Sequence, residues 1–154
     1  MLRRPNDEET IMGDTKSELK SVLTRVVDSA DGYESAASDA DQGRFAIMFK
    51  EKAQERRGFA TEIRNHLNTL GEQVDEDGSL LAAGHRVFKD LKDKITGSDD
   101  QAILQEVDRG ESTLLKTYDD ALKDVPPTDQ AYQMLSQQRG SVEQTLNQVK
   151  SFEQ

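Results

Sequence analysis

Apolar side chains recur along this chain at alternating steps of three and four, the spacing that lines one face of an α-helix. The first stripe runs through Leu19, Leu23, Val26, Ala30, Tyr33, Ala37 and Ala40 and predicts a helix from Thr15 to about Asp39, ended by the Asp41-Gln42-Gly43 turn. A second holds Phe45, Phe49, Lys52 or Ala53, Arg56, Phe59 or Ala60, Ile63, Leu67 and Leu70, with Gly71 as its stop. After the acidic loop Glu72–Gly78, Ser79 is placed to cap a shorter helix whose stripe is Leu81, Gly84, Phe88, Leu91 and Ile95, halting at Gly97. Ser98-Asp99-Asp100-Gln101 has the spacing of a capping box. It opens a stripe of Leu104, Val107, Glu111, Leu114, Tyr118, Ala121 and Val125, which Pro126-Pro127 breaks. Thr128 is the expected cap of the last helix, with Ala131 or Tyr132, Leu135, Gln138, Val142, Leu146, Val149 and Phe152 on one face. No strand-like alternation survives, so the predicted fold class is all-α.

Lengths turn these elements into an architecture. Four helices of about 24–26 residues would each run roughly 36–39 Å, and the Ser79–Thr96 helix about 27 Å. A Gly turn joins the first pair and Pro-Pro-Thr the last, so each pair reads as an antiparallel hairpin. The long link between the hairpins can return along the bundle and set the second and third long helices parallel. That is a four-helix bundle with an additional short crossover helix, the connectivity of ferritin-like folds. The other arrangement, a plain up-down array of five helices, fits less well because the middle helix is too short to be an equal partner. Residues 1–14 have no apolar period and read as a mobile arm ahead of a bundle domain spanning 15–154.

Composition narrows the function. Leu, Ile, Val and Phe supply 33 of 154 residues, close to the level at which disorder is the default, so it is the spacing that argues for a folded core. Thirty acidic against twenty basic residues give a net charge of −10, the wrong sign for a phosphate-binding footprint. Apolar runs such as Leu80–Ala83 are far too short to span a membrane. The basic start lacks an apolar stretch behind it, so a secretory signal is not expected, and a cytoplasmic location follows by default. The absence of cysteine excludes disulfides, thiolate metal sites and cysteine catalysis.

Several short motifs occur together in a familiar order: Asp31-Gly32-Tyr33-Glu34 with Ala36-Ala37, Arg56-x-x-Phe59-Ala60-x-Glu62-Ile63, Gly78-Ser79, His85-Arg86 ahead of Leu91-Lys92, Arg109-Gly110-Glu111, and Pro126-Pro127 before the last helix. Across about residues 17–152 the chain resembles a bacterial family of ferritin-like four-helix-bundle proteins of unknown function, often met among general-stress genes. The resemblance implies a fold and a stress context but no reaction. One departure is that the last helix of the family often carries a His where this chain has Leu146.

A di-iron bundle draws carboxylates from four helices and places Glu-x-x-His on two of them. This sequence contains no Glu-x-x-His. Arg56-x-x-Phe59 stands where one would fall, and Glu143-x-x-Leu146 lacks the imidazole. No cofactor is therefore expected. Instead Arg56, Glu111 and Gln138 interrupt their apolar stripes near helix midpoints and are expected to form a buried polar layer. Arg56 and Glu111 should pair, with Gln138 taking leftover donors, since an unpaired buried charge is costly. Such a layer is more often a register device than a site. Asp31 and Glu34, and Asp108 and Glu111, repeat Asp-x-x-Glu on the first and third long helices and could together hold a cation, although acid pairs on helix surfaces are common. His66, with Glu62 one turn earlier, reads as a solvated pair, and His85 as a local packing or capping residue. Two functions compete: a non-enzymatic, stress-associated bundle acting on a protein partner or as a homo-oligomer, and a ferritin-like metal-binding or oxidase protein using carboxylates alone.

Overall fold

The computed structural model describes residues 5–40, 43–74 and 100–153. They form four helices: α1 (Pro5–Asp39), α2 (Gly43–Thr69), α3 (Asp100–Asp124) and α4 (Gln130–Phe152). The Ser79–Thr96 helix, with Leu81, His85, Phe88, Leu91 and Ile95, lies outside the described residues.

The helix ends follow from local chemistry. The helical backbone of α1 begins at Pro5 rather than Thr15, a correction to the expected boundary. A proline at the first helical position loses no hydrogen bond and arrives with its φ already helical. At the far end of α2, Gly71 adopts φ +85°. Its N–H donates to the Asn68 carbonyl at 3.1 Å and that of Glu72 to the Leu67 carbonyl at 3.0 Å, the paired bonds of a Schellman stop. A Cβ on Gly71 would meet nothing within 4 Å, so backbone strain alone opposes substitution. Gly71→Ala should therefore cost about 1 kcal/mol in urea unfolding, and Gly71→Asn less. Asp129, not Thr128, caps α4: its backbone is extended and its carboxylate accepts from the Ala131 N–H at 2.9 Å. Thr128 is one residue too early, inside the turn closed by the Asp129 N–H on the Pro126 carbonyl.

Two apolar clusters fix the direction of each helix. One gathers Leu19–Val27 of α1, Ala60–Leu67 of α2, Leu114–Val125 at the end of α3, and Ala131, Leu135 and Val142 of α4. The other gathers Tyr33–Ala37, Phe45–Ala53, Ile103–Val107 and Val149. Along α2 and α3 the order of clusters is the same, and along α1 and α4 it is reversed. Hence α2 and α3 run parallel, each antiparallel to its hairpin partner, and α2 ends at the opposite end of the bundle from where α3 begins. Within the stripes, Ala53 is buried rather than Lys52, while Ala60 is buried and Phe59, partly buried, packs against the same cluster.

Candidate functional site

Between the two apolar clusters, the middle of the bundle is charged. Arg56 of α2 and Glu111 of α3 are both fully buried. They meet through two parallel hydrogen bonds: Nη1 donates to Oε1 at 2.6 Å and Nη2 to Oε2 at 3.0 Å. Nη1 also donates to the Ser29 hydroxyl of α1 at 3.2 Å, and Nε to Glu55 at 3.2 Å. The guanidinium carbon lies 5.5 Å from the centre of the Tyr33 ring and 5.8 Å from that of Phe59, within reach of the ring quadrupoles. Burial works to discharge the guanidinium, but the Glu111 carboxylate overcomes it and holds the Arg56 pKa above the ordinary arginine range. The two parallel bonds make this a bidentate, charge-assisted pair.

Two phenols are buried in the same core, Tyr33 beside the pair and Tyr118 two turns further along α3. The Tyr33 hydroxyl is close enough to Glu111 to feel its charge, yet falls short of hydrogen-bond geometry with any partner. The Tyr118 hydroxyl donates to Gln138 Oε1 at 2.7 Å. Burial first, and for Tyr33 the Glu111 charge after it, pushes both phenols well above the ordinary value, which is about 10. Because the folded protein holds these protons more tightly than the unfolded chain, their contribution is complete below pH about 10 and declines as the pH rises past it. Spectrophotometric titration at 295 nm should therefore show Tyr33 and Tyr118 ionising only together with loss of the helical circular dichroism signal.

The expectation for Gln138 is corrected. It does not take donors from the Arg56–Glu111 pair but sits with Tyr118, two turns beyond Glu111 and so about 10 Å along α3. Hairpin register is the reason. Lys150 lies 3.3 Å from Asp108 and Gln138 meets Tyr118, so the residues level with Glu111 on α4 are Thr145 and Leu146. Equal distance from helix midpoints is a poor guide when one helix starts later than its partner. The Gln138 amide nitrogen is left buried without a partner.

The four carboxylates of the repeated Asp-x-x-Glu each have a different engagement. Asp31 and Glu34 grip Arg57 at 2.7 and 2.9 Å on the surface. Asp108 contacts Lys150 and also accepts from Ser112 at 3.1 Å, and Glu111 faces inward to Arg56. Among the described residues no three His, Asp or Glu side chains gather where a metal ion could be held. His66 turns not to Glu62 but to the α4 cap, with Nε2 3.9 Å from Asp129 Oδ1. His85 lies outside the described residues.

A di-metal centre at this level does not fit the residues present. The layer offers the Glu111 carboxylate, held at both oxygens by a fixed cation, and the half-buried Glu55 carboxylate, bound to the same guanidinium, beside a benzene ring and two hydroxyls. Leu146 stands at the level where an imidazole on α4 would be needed. Ser29 and Tyr33 were the members missed from sequence. Ser29 falls outside the α1 stripe, and Tyr33 counted simply as apolar, although a buried tyrosine in a stripe signals a hydroxyl to be accommodated.

The family model described as a domain of unknown function (DUF2383) matches residues 14–124. A comparison with curated proteins gave no match. Among solved structures, the fold is similar to Dps92 from Deinococcus radiodurans, with a TM-score of 0.80 at 15% identity over 93% of this chain and 87% of that one. A DPS protein from Vibrio cholerae O1, titled as a member of a broad superfamily of ferritin-like diiron-carboxylate proteins, is similar at a TM-score of 0.78 and 14% identity, over 93% and 91% of the two chains. A Mycobacterium smegmatis Dps1 mutant is similar at 0.75 and 15%, over 92% and 96%. The fold is a ferritin-like four-helix bundle.

Proposed function

This chain belongs to the DUF2383 family, and on that premise we propose that it is a ferritin-like bundle that works through contacts with protein partners or further copies of itself, without a di-iron centre. The observation that supports this reading is the buried Arg56–Glu111 pair, with both oxygens of Glu111 held by the guanidinium. A carboxylate so engaged is a poor metal ligand, and a fixed positive charge beside it repels an incoming cation. A stress-associated role, by family resemblance, and a cytoplasmic location complete this reading. No helix among the described residues is long and apolar enough to cross a membrane.

A contact surface is available at one end of the bundle. Ile47 on α2 is 61% exposed. It borders a shallow cleft with Phe45, Met48, Glu51, Gln148 and Phe152, where the Phe45 and Phe152 rings meet edge to face at 5.3 Å.

Two measurements test the reading. Purified protein incubated with Fe(II) and then desalted should retain well under one equivalent of iron. In sedimentation, Ile47→Asp should shift the protein to smaller species, or weaken capture of its partner, while leaving the melting curve intact. Stoichiometric iron lost on Glu111→Gln would instead establish the rival reading, a metal-binding or oxidase protein that uses carboxylates.

A further inference from the structure

The polar layer has the parts of a cation-binding site, and the cation is supplied by the chain itself. Glu111 presents both carboxylate oxygens to one planar guanidinium, Ser29 adds a hydroxyl oxygen from α1, and the Tyr33 and Phe59 rings stand 5.5 and 5.8 Å from the guanidinium carbon. The Tyr33 hydroxyl is buried nearby with no hydrogen-bond partner, a spare donor or acceptor for whatever lies there. Together with Glu55, which accepts from Nε at 3.2 Å, these side chains approach the head of Arg56, and none depends on the methylenes that attach it to α2.

We propose that this layer is a built site for a planar guanidinium-class cation, occupied in the native chain by tethered Arg56, and that removing the tether leaves a site that takes a free guanidinium from solution. The inference rests on the reading that no di-metal centre is housed here, because a metal sharing Glu111 would already occupy the same oxygens. Chemistry selects the class of ligand. A fork of two carboxylate oxygens matches two parallel N–H bonds, and flanking rings favour a weakly hydrated, delocalised cation over a compact one. A hard divalent ion would find one fully buried carboxylate in Glu111, a second at the edge of the layer in Glu55, and two hydroxyls, and would have to give up its tightly held waters for them.

The test uses the full chain carrying Arg56→Ala, melted with and without about 10 mM ethylguanidinium chloride, against equal tetramethylammonium chloride and against MnCl2. Ethylguanidinium should raise the melting temperature of Arg56→Ala by about 3–5 °C, leave the wild type unchanged, and have no effect on Arg56→Ala combined with Glu111→Gln. If Arg56→Ala does not fold alone, the same comparison is made on Arg56→Ser, whose short hydroxyl side chain leaves the space of the guanidinium open. Absence of ethylguanidinium-specific stabilisation in both variants overturns the inference, as does equal stabilisation in the Glu111→Gln background, or stabilisation by Mn2+ alone. Iron bound to the wild type would overturn the earlier reading; a metal-free wild type with unresponsive variants would overturn only this one.

Discussion

Arg56→Met should lower the unfolding free energy by about 3–5 kcal/mol, a large share of the whole for a domain of this size. The loss comes less from the vanished attraction than from what stays behind. Glu111, with no exposed surface, keeps a carboxylate cut off from water and from any cation. Converting both residues together, Arg56→Met with Glu111→Leu, should restore most of the stability, because an apolar pair of similar volume has no desolvation penalty. Urea unfolding of the two single variants and the double variant closes the thermodynamic cycle. Equal stability of Arg56→Met and the double variant would show that the two side chains are not coupled.

Phe49→Ala should cost a comparable amount, about 3–5 kcal/mol. Its ring is wholly buried, with the Tyr33 ring at 5.8 Å on one side and that of Phe45 at 6.3 Å on the other. The truncation therefore opens a cavity where three rings support one another. Ile47→Ser, two residues earlier and pointing outward, should change stability by no more than about 0.5 kcal/mol. The contrast reads the inner and outer faces of α2 directly. A cost below about 1 kcal/mol for Phe49→Ala would mean that this end of the bundle repacks around the gap.

Much of this arrangement could be read from residue order, because helical periodicity is a strong local signal. Leu19, Leu23, Val26, Ala30 and Tyr33 all turn inward as their spacing predicts, and so do Leu104, Val107, Glu111, Leu114 and Tyr118. The pairing of Arg56 with Glu111 follows from opposite charges interrupting two stripes on parallel helices. Register between helices was harder to read. Spacing fixes which face a residue occupies but not its height against a neighbour: distance from the helix midpoint puts Gln138 level with Glu111, whereas it meets Tyr118 two turns away. Start points were equally hard to read: α1 extends back to Pro5 because a proline can open a helix without apolar residues behind it, and the α4 cap depended on which of Thr128 and Asp129 takes the extended backbone.

Arg56 and Arg57 are neighbours in sequence that bind α2 to two different helices. Arg56 points into the core to Glu111 of α3, while Arg57 lies 44% exposed and clasps Asp31 and Glu34 of α1. One step along a helix is a rotation of about 100°, so the two side chains act as a key with two teeth. Only one angular phase of α2 lets both engage. Apolar residues of similar size can be exchanged along the stripe with small losses, because a methyl group fits in many orientations. Inserting a single residue between Phe49 and Arg56 is different in kind. It would swing both guanidiniums out of phase with the apolar stripe ahead of them, stranding a buried acid on one helix and breaking the Arg57 ion pairs with another. Natural variation within this family should therefore tolerate substitution along α2 far better than a change in its length.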